Sequence, residues 1–432
     1  MTVLLSVGIA LFAGLAMTRV FRMAHLNFPN VTAYLVAGIL VGSFCLGRLG
    51  IPGLGFTTLE EVGQLDMLSN AALGFIAFAI GNEFRLSDLK NTGKAAAVVG
   101  VFQALVATLL VDAALIGIHF VLGEEVLPLS VAITLGAIAS ATAPAATLMV
   151  VRQYHAKGPV TDILLPVVAL DDAVGLVVFA ISFGIAMALQ GGTLSVISVL
   201  VNPLLEIIGS LTLGTVMGLL LTAEEHQFHS GSNRLAMSIA FVLTAIALSS
   251  LVIPVGPAEF AFSPLLVCMM MGTVFCNTCK GSGKIMDNTD DWTVPLYAVF
   301  FVISGAELDL SILTKPLIVM IGVVYILVRC LGKYVGARIS STAMGCDENV
   351  RKYLGITLFP QAGVALGMCV TAQALGPELG GMVRNITLFG VMIYELIGPQ
   401  LTRMSLILAG EIEEEASETA SEGSKRRIGL AR

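Results

Sequence analysis

The chain has 432 residues, of which 56% are hydrophobic and only 12% are charged. With a mean hydropathy of +0.91, this composition excludes an ordinary soluble domain and predicts an all-α polytopic membrane protein surrounded by a lipid bilayer. The net charge of −7 gives no reason to expect a nucleic-acid partner.

A helix needs about 20 predominantly apolar residues to cross a bilayer, and the chain offers about thirteen such segments. The predicted spans are 2–20, 31–47, 63–83, 95–118, 129–151, 161–188, 195–222, 234–253, 259–276, 292–306, 316–337, 352–374 and 385–408. The first lacks the basic region and cleavage site of a signal peptide, so we expect it to be retained. The segment 195–222 is predicted either as one span or as two short pieces around Pro203.

Lysine and arginine are distributed unequally between alternate loops. If the N-terminus lies outside the cell membrane, the outer loops hold only Arg48, Lys315 and Arg384, and most other basic residues become cytoplasmic. An odd number of spans then places the C-terminus in the cytoplasm. The transmembrane region is predicted over 1–408, and 409–432, which is rich in Glu and Ser, is predicted to be a disordered cytoplasmic tail.

Two spans carry interruptions at similar depth. The fifth contains IASATAPAATLMV at 138–150, and the twelfth contains GITLFPQAGVALGM at 355–368. Each is followed by a span that holds both a proline and acidic residues. Two interrupted segments in corresponding positions of two halves indicate a secondary transporter built from inverted repeats. Spans four to six and eleven to thirteen are the predicted repeats, each with one discontinuous helix.

The span after the first interruption contains two adjacent carboxylates, Asp171 and Asp172. A carboxylate in the middle of a bilayer costs at least a few kcal/mol, so it must face a cavity or a partner. Adjacent helical residues point about 100° apart, so we expect one aspartate to meet a neighbour and Asp172 to line the ion path. Proton and monovalent metal ion would compete for Asp172, with oxygens from Ser140, Thr142 and the carbonyls freed near Pro144 completing the metal site.

Other charged residues are predicted within spans. Arg329 lies near mid-depth, where a guanidinium needs a counter-charge, and we expect it to pair with Asp171 or Glu395. Lys333 is a second candidate counter-charge. The alternative for either residue is that its side chain extends to the cytoplasmic interface, which suits Lys333 better than Arg329. For Glu395, the sequence leaves open a role as counter-charge or in packing.

Several motifs together resemble the cation:proton antiporter superfamily, in its sodium/proton branch with paired aspartates, and the resemblance covers essentially the whole chain. These motifs are TAPAAT (142–147), LDDAVG (170–175), GNEFRLSDL (81–89), FFVISGAELDL (300–310), VRCLGKYVG (328–336), PQAGVALGM (360–368) and ELIGP (395–399).

The resemblance implies a homodimer with two crossed broken helices and an elevator-like movement. Core helices at about 95–188 and 316–408 would move against dimerisation helices at about 1–83 and 195–306. It implies that Asp172 binds cation and proton in turn with help from Thr142. In electrogenic relatives, a lysine before the second broken helix bridges to the first aspartate. Here Arg329 has the matching depth and Lys333 follows one turn later, so the stoichiometry stays open.

The sequence therefore predicts a Na⁺ (or Li⁺)/H⁺ antiporter, which is neither an enzyme nor dependent on a cofactor. Sodium ranks above potassium because potassium-efflux relatives usually carry a nucleotide-binding domain and replace the first aspartate. A sodium-coupled symporter of organic anions is a further alternative. An intramembrane aspartyl protease is disfavoured because its acids lie on two helices, one in a Gly-x-Gly-Asp context that this chain lacks.

Overall fold

The computed structural model describes residues 3–24, 28–51, 53–82, 84, 86–190, 202–225, 227–228, 230–251, 253–255, 258–260, 262–279, 281–308 and 310–412. The helices are α1 (Val3–Met23), α2 (Asn30–Val41), α3 (Leu59–Gly63), α4 (Asp66–Asn82), α5 (Leu86–Leu122), α6 (Leu129–Ile138), α7 (Pro144–Gln153), α8 (Pro159–Leu189), α9 (Asn202–Glu225), α10 (Gly231–Ser249), α11 (Pro264–Thr278), α12 (Ser282–Ala306), α13 (Pro316–Ala343), α14 (Glu348–Thr357), α15 (Gly363–Ala372) and α16 (Pro377–Leu408). Strands β1 (Ile253–Val255) and β2 (Ala258–Phe260) form a short antiparallel hairpin.

The predicted spans correspond to these helices. Within the described ranges, seven helices are long and apolar enough to cross a membrane, and four more are apolar but shorter. Helix α12 begins ten positions before the predicted 292–306, at Ser282, and hairpin β1–β2 overlaps the ends of two predicted spans. Residues 195–201 and 413–432, and with them most of the predicted tail, lie outside the described residues. The number of crossings stays a prediction.

Two groups of four helices repeat the same order. Long helix α5 is followed by the broken pair α6 and α7 and then by long helix α8; α13 is followed by the broken pair α14 and α15 and then by α16. The breaks fall at 139–143 and 358–362, inside the two predicted interruptions. Pro144 begins α7, where its missing N–H is tolerated. The predicted discontinuous helices are therefore confirmed.

The two breaks meet each other. The backbone N–H of Ala143 donates to the carbonyl of Pro360 at 2.8 Å. The side-chain amide of Gln361 donates to the carbonyl of Ile138, also at 2.8 Å, and to the hydroxyl of Tyr325. Backbone groups that unwinding frees are thus bonded across the contact, as burial requires.

Glycine allows close packing of the helices around the breaks. A Cβ atom added at Gly332 would lie 2.6 Å from the Cα of Ala107, and one added at Gly336 would lie 2.7 Å from the Cα of Gln103. Helices α13 and α5 therefore approach with their backbones nearly in contact, the arrangement that small residues four apart favour in membranes. This contact directs side chains of both helices toward the middle of α8.

Candidate ion-binding site

Helix α8 carries both predicted aspartates in the interior. Asp171 is fully buried, and 5% of Asp172 is exposed. Pro166 lies inside the same continuous helix, before the two aspartates. As expected for adjacent helical positions, the two carboxylates have different surroundings.

Asp171 meets three neighbours, as predicted for one of the two acids. The hydroxyl of Thr142 donates to Oδ2 at 2.5 Å, and Nζ of Lys333 lies 3.1 Å from the same oxygen. The side-chain amide of Gln103 donates to Oδ1. Both carboxylate oxygens are therefore bonded, by donors from α5, from the first break and from α13.

Lys333 is a counter-charge of Asp171, one of the two roles predicted for it, and the alternative that it extends to the interface is wrong. Its side chain is fully buried, and Nζ bonds the carbonyl of Ser140 at 2.5 Å and the hydroxyl of Thr142 at 2.9 Å besides Asp171. An ammonium group has three N–H donors, so all of them have acceptors. The carbonyl of Ser140 is available because Pro144, four residues later, has no N–H to bond it.

Arg329 is also fully buried, but its expected pairing with Asp171 or Glu395 is wrong. Its donors reach backbone carbonyls at both breaks: Nε bonds Ala139 at 3.0 Å, Nη2 bonds Ala141 at 2.5 Å and Nη1 bonds Phe359 at 2.7 Å. The guanidinium also lies 4.6 Å from the ring centroid of Tyr394. Carbonyls at the C-terminal ends of α6 and α14 have no partner within the helix and carry partial negative charge. They bind the guanidinium of Arg329 in place of the predicted carboxylate.

Asp172 differs from its neighbour in having an unsatisfied oxygen. Its Oδ1 is buried and has no hydrogen-bond partner among the described residues. One turn later, Gly175 leaves room beside Ser140, whose Oγ lies 3.3 Å from the position that a Cβ of residue 175 would take. The Ser140 hydroxyl donates to Ala137 at 2.7 Å, so its oxygen keeps free lone pairs. A buried carboxylate oxygen without a donor needs a proton, a water molecule or a cation to satisfy it, and Oδ1 of Asp112 is another such atom in the described residues.

The other predicted residues, Thr142 and Glu395, make no bond to Asp172 in the described structure. Thr142 contacts Asp171 and Lys333, and the structure gives it no bond to Asp172. Glu395, in α16, is only 4% exposed, and within the described part of the chain no ion pair joins it to Arg329 or Lys333. Its role stays a prediction.

Sequence reasoning missed two buried glutamines. Gln103 bonds Asp171, and Gln361 connects the second break to the first. A lone glutamine in an apolar span is a weak signal, because its partner is not visible in the sequence. Gln361 follows Pro360 within the interruption and could have been proposed there, since unwound backbone needs polar partners.

These groups can form a cation site around Asp172. The carboxylate supplies a full negative charge, and the Ser140 hydroxyl supplies a neutral oxygen, the kind of ligand that hard cations prefer. The carbonyls of residues 138–141 already accept bonds from Gln361, Arg329 and Lys333. The three N–H donors of Lys333 have other acceptors and make no bond to Asp172. The same Asp172 oxygen could instead hold a proton.

The sequence as a whole matches a known family. A model of the family described as sodium/hydrogen exchanger, transmembrane, matches residues 7–406. The high-affinity Na(+)/H(+) antiporter NhaS3 of Synechocystis sp. is 25% identical over 433 residues, which cover 91% of this chain and 87% of the relative. The K(+)/H(+) antiporter subunit KhtU of Bacillus subtilis is 24% identical over 391 residues, which cover 88% of each chain.

Solved structures agree in fold. The sodium proton antiporter MjNhaP1 of Methanocaldococcus jannaschii superposes with a TM-score of 0.71 at 19% identity, over 96% of this chain and 100% of that one. Its structure at pH 8 gives a TM-score of 0.63 at 20% identity, over 94% and 95% of the two chains. This likeness confirms the predicted fold class, an all-α membrane protein with discontinuous helices.

Proposed function

The chain belongs to the sodium/hydrogen exchanger family, because that family's model matches residues 7–406, and we propose that it is a secondary cation/proton antiporter. It exchanges Na⁺ or Li⁺ for H⁺ across the cell membrane and so contributes to pH homeostasis. The observation that carries this proposal is the contrast between the two aspartates. Asp171 is bonded at both oxygens, whereas Oδ1 of Asp172 has no partner in the described structure.

Competition at Asp172 couples the two ions. A proton neutralises the carboxylate, whereas a cation needs the ionised form, so each ion excludes the other. Ser140 contributes its hydroxyl oxygen to the cation, and Thr142 acts indirectly by holding Asp171 and Lys333 in place. An ionised Asp172 with no ion bound would be an uncompensated charge in the membrane. The site therefore moves across the membrane only when Asp172 holds a proton or a cation.

An elevator movement gives access from both sides. Core helices within 95–188 and 316–408 carry the site past dimerisation helices within 1–83 and 195–306, and two copies of the chain form a homodimer. A hydrogen bond joins the two groups of helices: the N–H of Asn30, at the start of α2, donates to the side chain of Gln153, at the end of α7, at 2.8 Å. The movement must break this bond. With the N-terminus outside and the C-terminus cytoplasmic, it lies at the inner face.

Potassium is the second candidate cation, because the relative KhtU is named a K(+)/H(+) antiporter subunit. Sodium is placed before potassium because the relative NhaS3 is named a Na(+)/H(+) antiporter. Symport of an organic anion is less favoured, since Arg329, the residue available to bind it, already donates to three carbonyls.

Transport in proteoliposomes tests the proposal. The purified protein is reconstituted with an internal pH-sensitive dye, and Na⁺, Li⁺ or K⁺ is added outside. We expect cation-dependent proton movement for wild type and a loss of at least about 100-fold in Asp172→Asn, which cannot alternate between charged and neutral forms.

Asp112→Asn is the matched control, because Asp112 is another acid within a span whose Oδ1 is buried without a partner, and in the described residues no hydrogen bond joins it to Asp171 or Asp172. It should retain most of the wild-type rate. Normal exchange in Asp172→Asn, or none with any cation in wild type, contradicts the proposal.

A further inference from the structure

Gln103 is a buried polar residue of α5 that none of the recognised motifs includes. It is fully buried, and its side-chain nitrogen donates to the carbonyl of Gly100 at 2.9 Å and to Oδ1 of Asp171. Both N–H groups of the amide are thus used, and one of them is given to a carboxylate 68 positions away in sequence. Such a bond is stronger than one between neutral groups.

The packing of α5 on α13 determines where Gln103 lies. Gly336 approaches the backbone of Gln103 so closely that an added Cβ would lie 2.7 Å from its Cα. Lys333 precedes Gly336 by three residues, so Gln103 and Lys333 lie near each other on the two contacting helices. They reach Asp171 from neighbouring elements and bond different oxygens, the lysine at Oδ2 and the glutamine at Oδ1.

This arrangement leaves Asp171 little capacity for a further ligand, because Oδ2 accepts two bonds and Oδ1 accepts one. A cation that bound between the two aspartates would have to share an oxygen of Asp171 with an N–H or O–H donor or displace that donor. Oδ2 holds two donors, one of them positively charged, so Oδ1 is the oxygen that could be released. Gln103 is the group that bonds it.

We propose that Gln103 is a positioning residue that occupies Oδ1 of Asp171 and thereby keeps this carboxylate out of the coordination shell of the transported cation. The inference rests on the function proposed above and deepens it: the cation has one anionic ligand, Asp172, and not two. A single carboxylate binds a monovalent cation loosely enough for release at each turnover, whereas two carboxylates would retain it.

Substitution of Gln103 should therefore strengthen the binding of the cation and slow its release. Gln103→Met keeps the length of the side chain but removes the donor, which frees Oδ1 of Asp171 as a second anionic ligand. We expect the KM for Na⁺ to fall at least threefold and the maximal exchange rate to fall at least threefold as well. A purely structural role of Gln103 would lower the maximal rate or the thermal stability and leave KM unchanged.

The experiment uses the full chain in proteoliposomes and compares wild type, Gln103→Met and Gln103→Asn. Asparagine keeps an amide in the interior but is one methylene too short to reach Asp171, so it should act like methionine with less disturbance of packing. Thr108→Val is the matched control, because Thr108 is a buried polar residue of the same helix that the site does not use. Equilibrium Na⁺ binding to the purified proteins, measured by titration calorimetry, checks affinity without turnover.

Tighter Na⁺ binding together with slower exchange in both variants, and neither change in Thr108→Val, supports the proposal. A KM and a binding constant that are unchanged or weaker than in wild type overturn it, and the antiport function then still stands. If wild type shows no exchange at all, the proposed function fails, and calorimetry alone decides whether Gln103 limits cation binding.

Discussion

Lys333 and Asp171 form an ion pair inside the membrane region, with Nζ 3.1 Å from Oδ2 and neither side chain accessible to solvent. The pair lies at the meeting point of three elements: α8 provides the acid, α13 the base, and the first helix break the additional acceptors at Ser140 and Thr142. All donors of the lysine and both oxygens of the aspartate are satisfied, which is the condition under which a buried pair is tolerated.

Removing one partner should be costly. Lys333→Met leaves Asp171 buried without its counter-charge, and we expect a loss of about 3–5 kcal/mol in stability, measured by unfolding in detergent. In an Asp171→Asn background, the same lysine substitution should cost clearly less, because the charge it compensates is already absent. Equal losses in the two backgrounds would show that the pair is not coupled.

The Lys333–Asp171 pair bears on the charge moved per cycle. Lys333 makes the bridge to the first aspartate that a lysine makes in electrogenic relatives, and a buried lysine, unlike an arginine, can give up its proton. We therefore expect Lys333 to carry a second proton, so that one cation exchanges for two protons and each cycle moves one charge. With potentials imposed by a potassium gradient and valinomycin, the rate of Na⁺/H⁺ exchange should differ between positive and negative potentials. A rate that is the same at both potentials would indicate that only Asp172 exchanges ions.

Competition at one carboxylate gives a defined pH dependence. Raising the pH removes protons from Asp172, so less cation is needed to occupy the site and the apparent KM for Na⁺ falls. Over the range in which the site is mostly protonated, the fall approaches about tenfold per pH unit for a single competing proton. Initial rates over a matrix of pH and Na⁺ concentration measure this slope. A KM independent of pH would exclude direct competition.

The sequence predicted the helices and both breaks, because long apolar runs and Pro-containing interruptions are local signals. It did not decide between Arg329 and Lys333 as the partner of Asp171. These two residues are four apart, so they share one face of α13, and depth within the span could not show which of them reaches a carboxylate. The answer depends on carbonyls freed 190 residues earlier in the chain, which bind the guanidinium. The bond from Gln103 is equally non-local, and only the packing of α5 against α13 reveals it.

Arg329 connects the two breaks, so a conservative change should still be harmful. Lysine cannot reproduce three diverging N–H donors on one planar group, and Arg329→Lys leaves buried carbonyls unbonded. We expect a loss of at least about 2 kcal/mol in stability, together with reduced exchange. Arg338→Lys, an exposed position on the same helix, should change neither quantity. Similar behaviour of the two variants would remove the structural role assigned to Arg329.

A further set of hydrogen bonds joins Glu411, just after the end of α16, to the start of α8, the helix that carries the two aspartates. The Glu411 carboxylate is 7% exposed and accepts bonds from the backbone N–H groups of Val160 at 2.5 Å and Thr161 at 2.9 Å, and from the Thr161 hydroxyl at 2.6 Å. It therefore caps the N-terminus of α8, where a negative charge is stabilising. Glu411 also fits against Gly158, where a Cβ would lie 2.5 Å from its Cγ.

Glu411→Ala should lower stability by about 1–2 kcal/mol, because several N–H groups lose their acceptor, and should leave the KM for Na⁺ unchanged because the cap is distant from the ion site. Thermal unfolding and transport assays of the same preparations test both statements. Glu348→Ala is the control, since Glu348 is exposed and pairs only with the neighbouring Lys352. If Glu411→Ala instead alters KM with no loss of stability, the cap acts on the position of α8 during transport and not on folding.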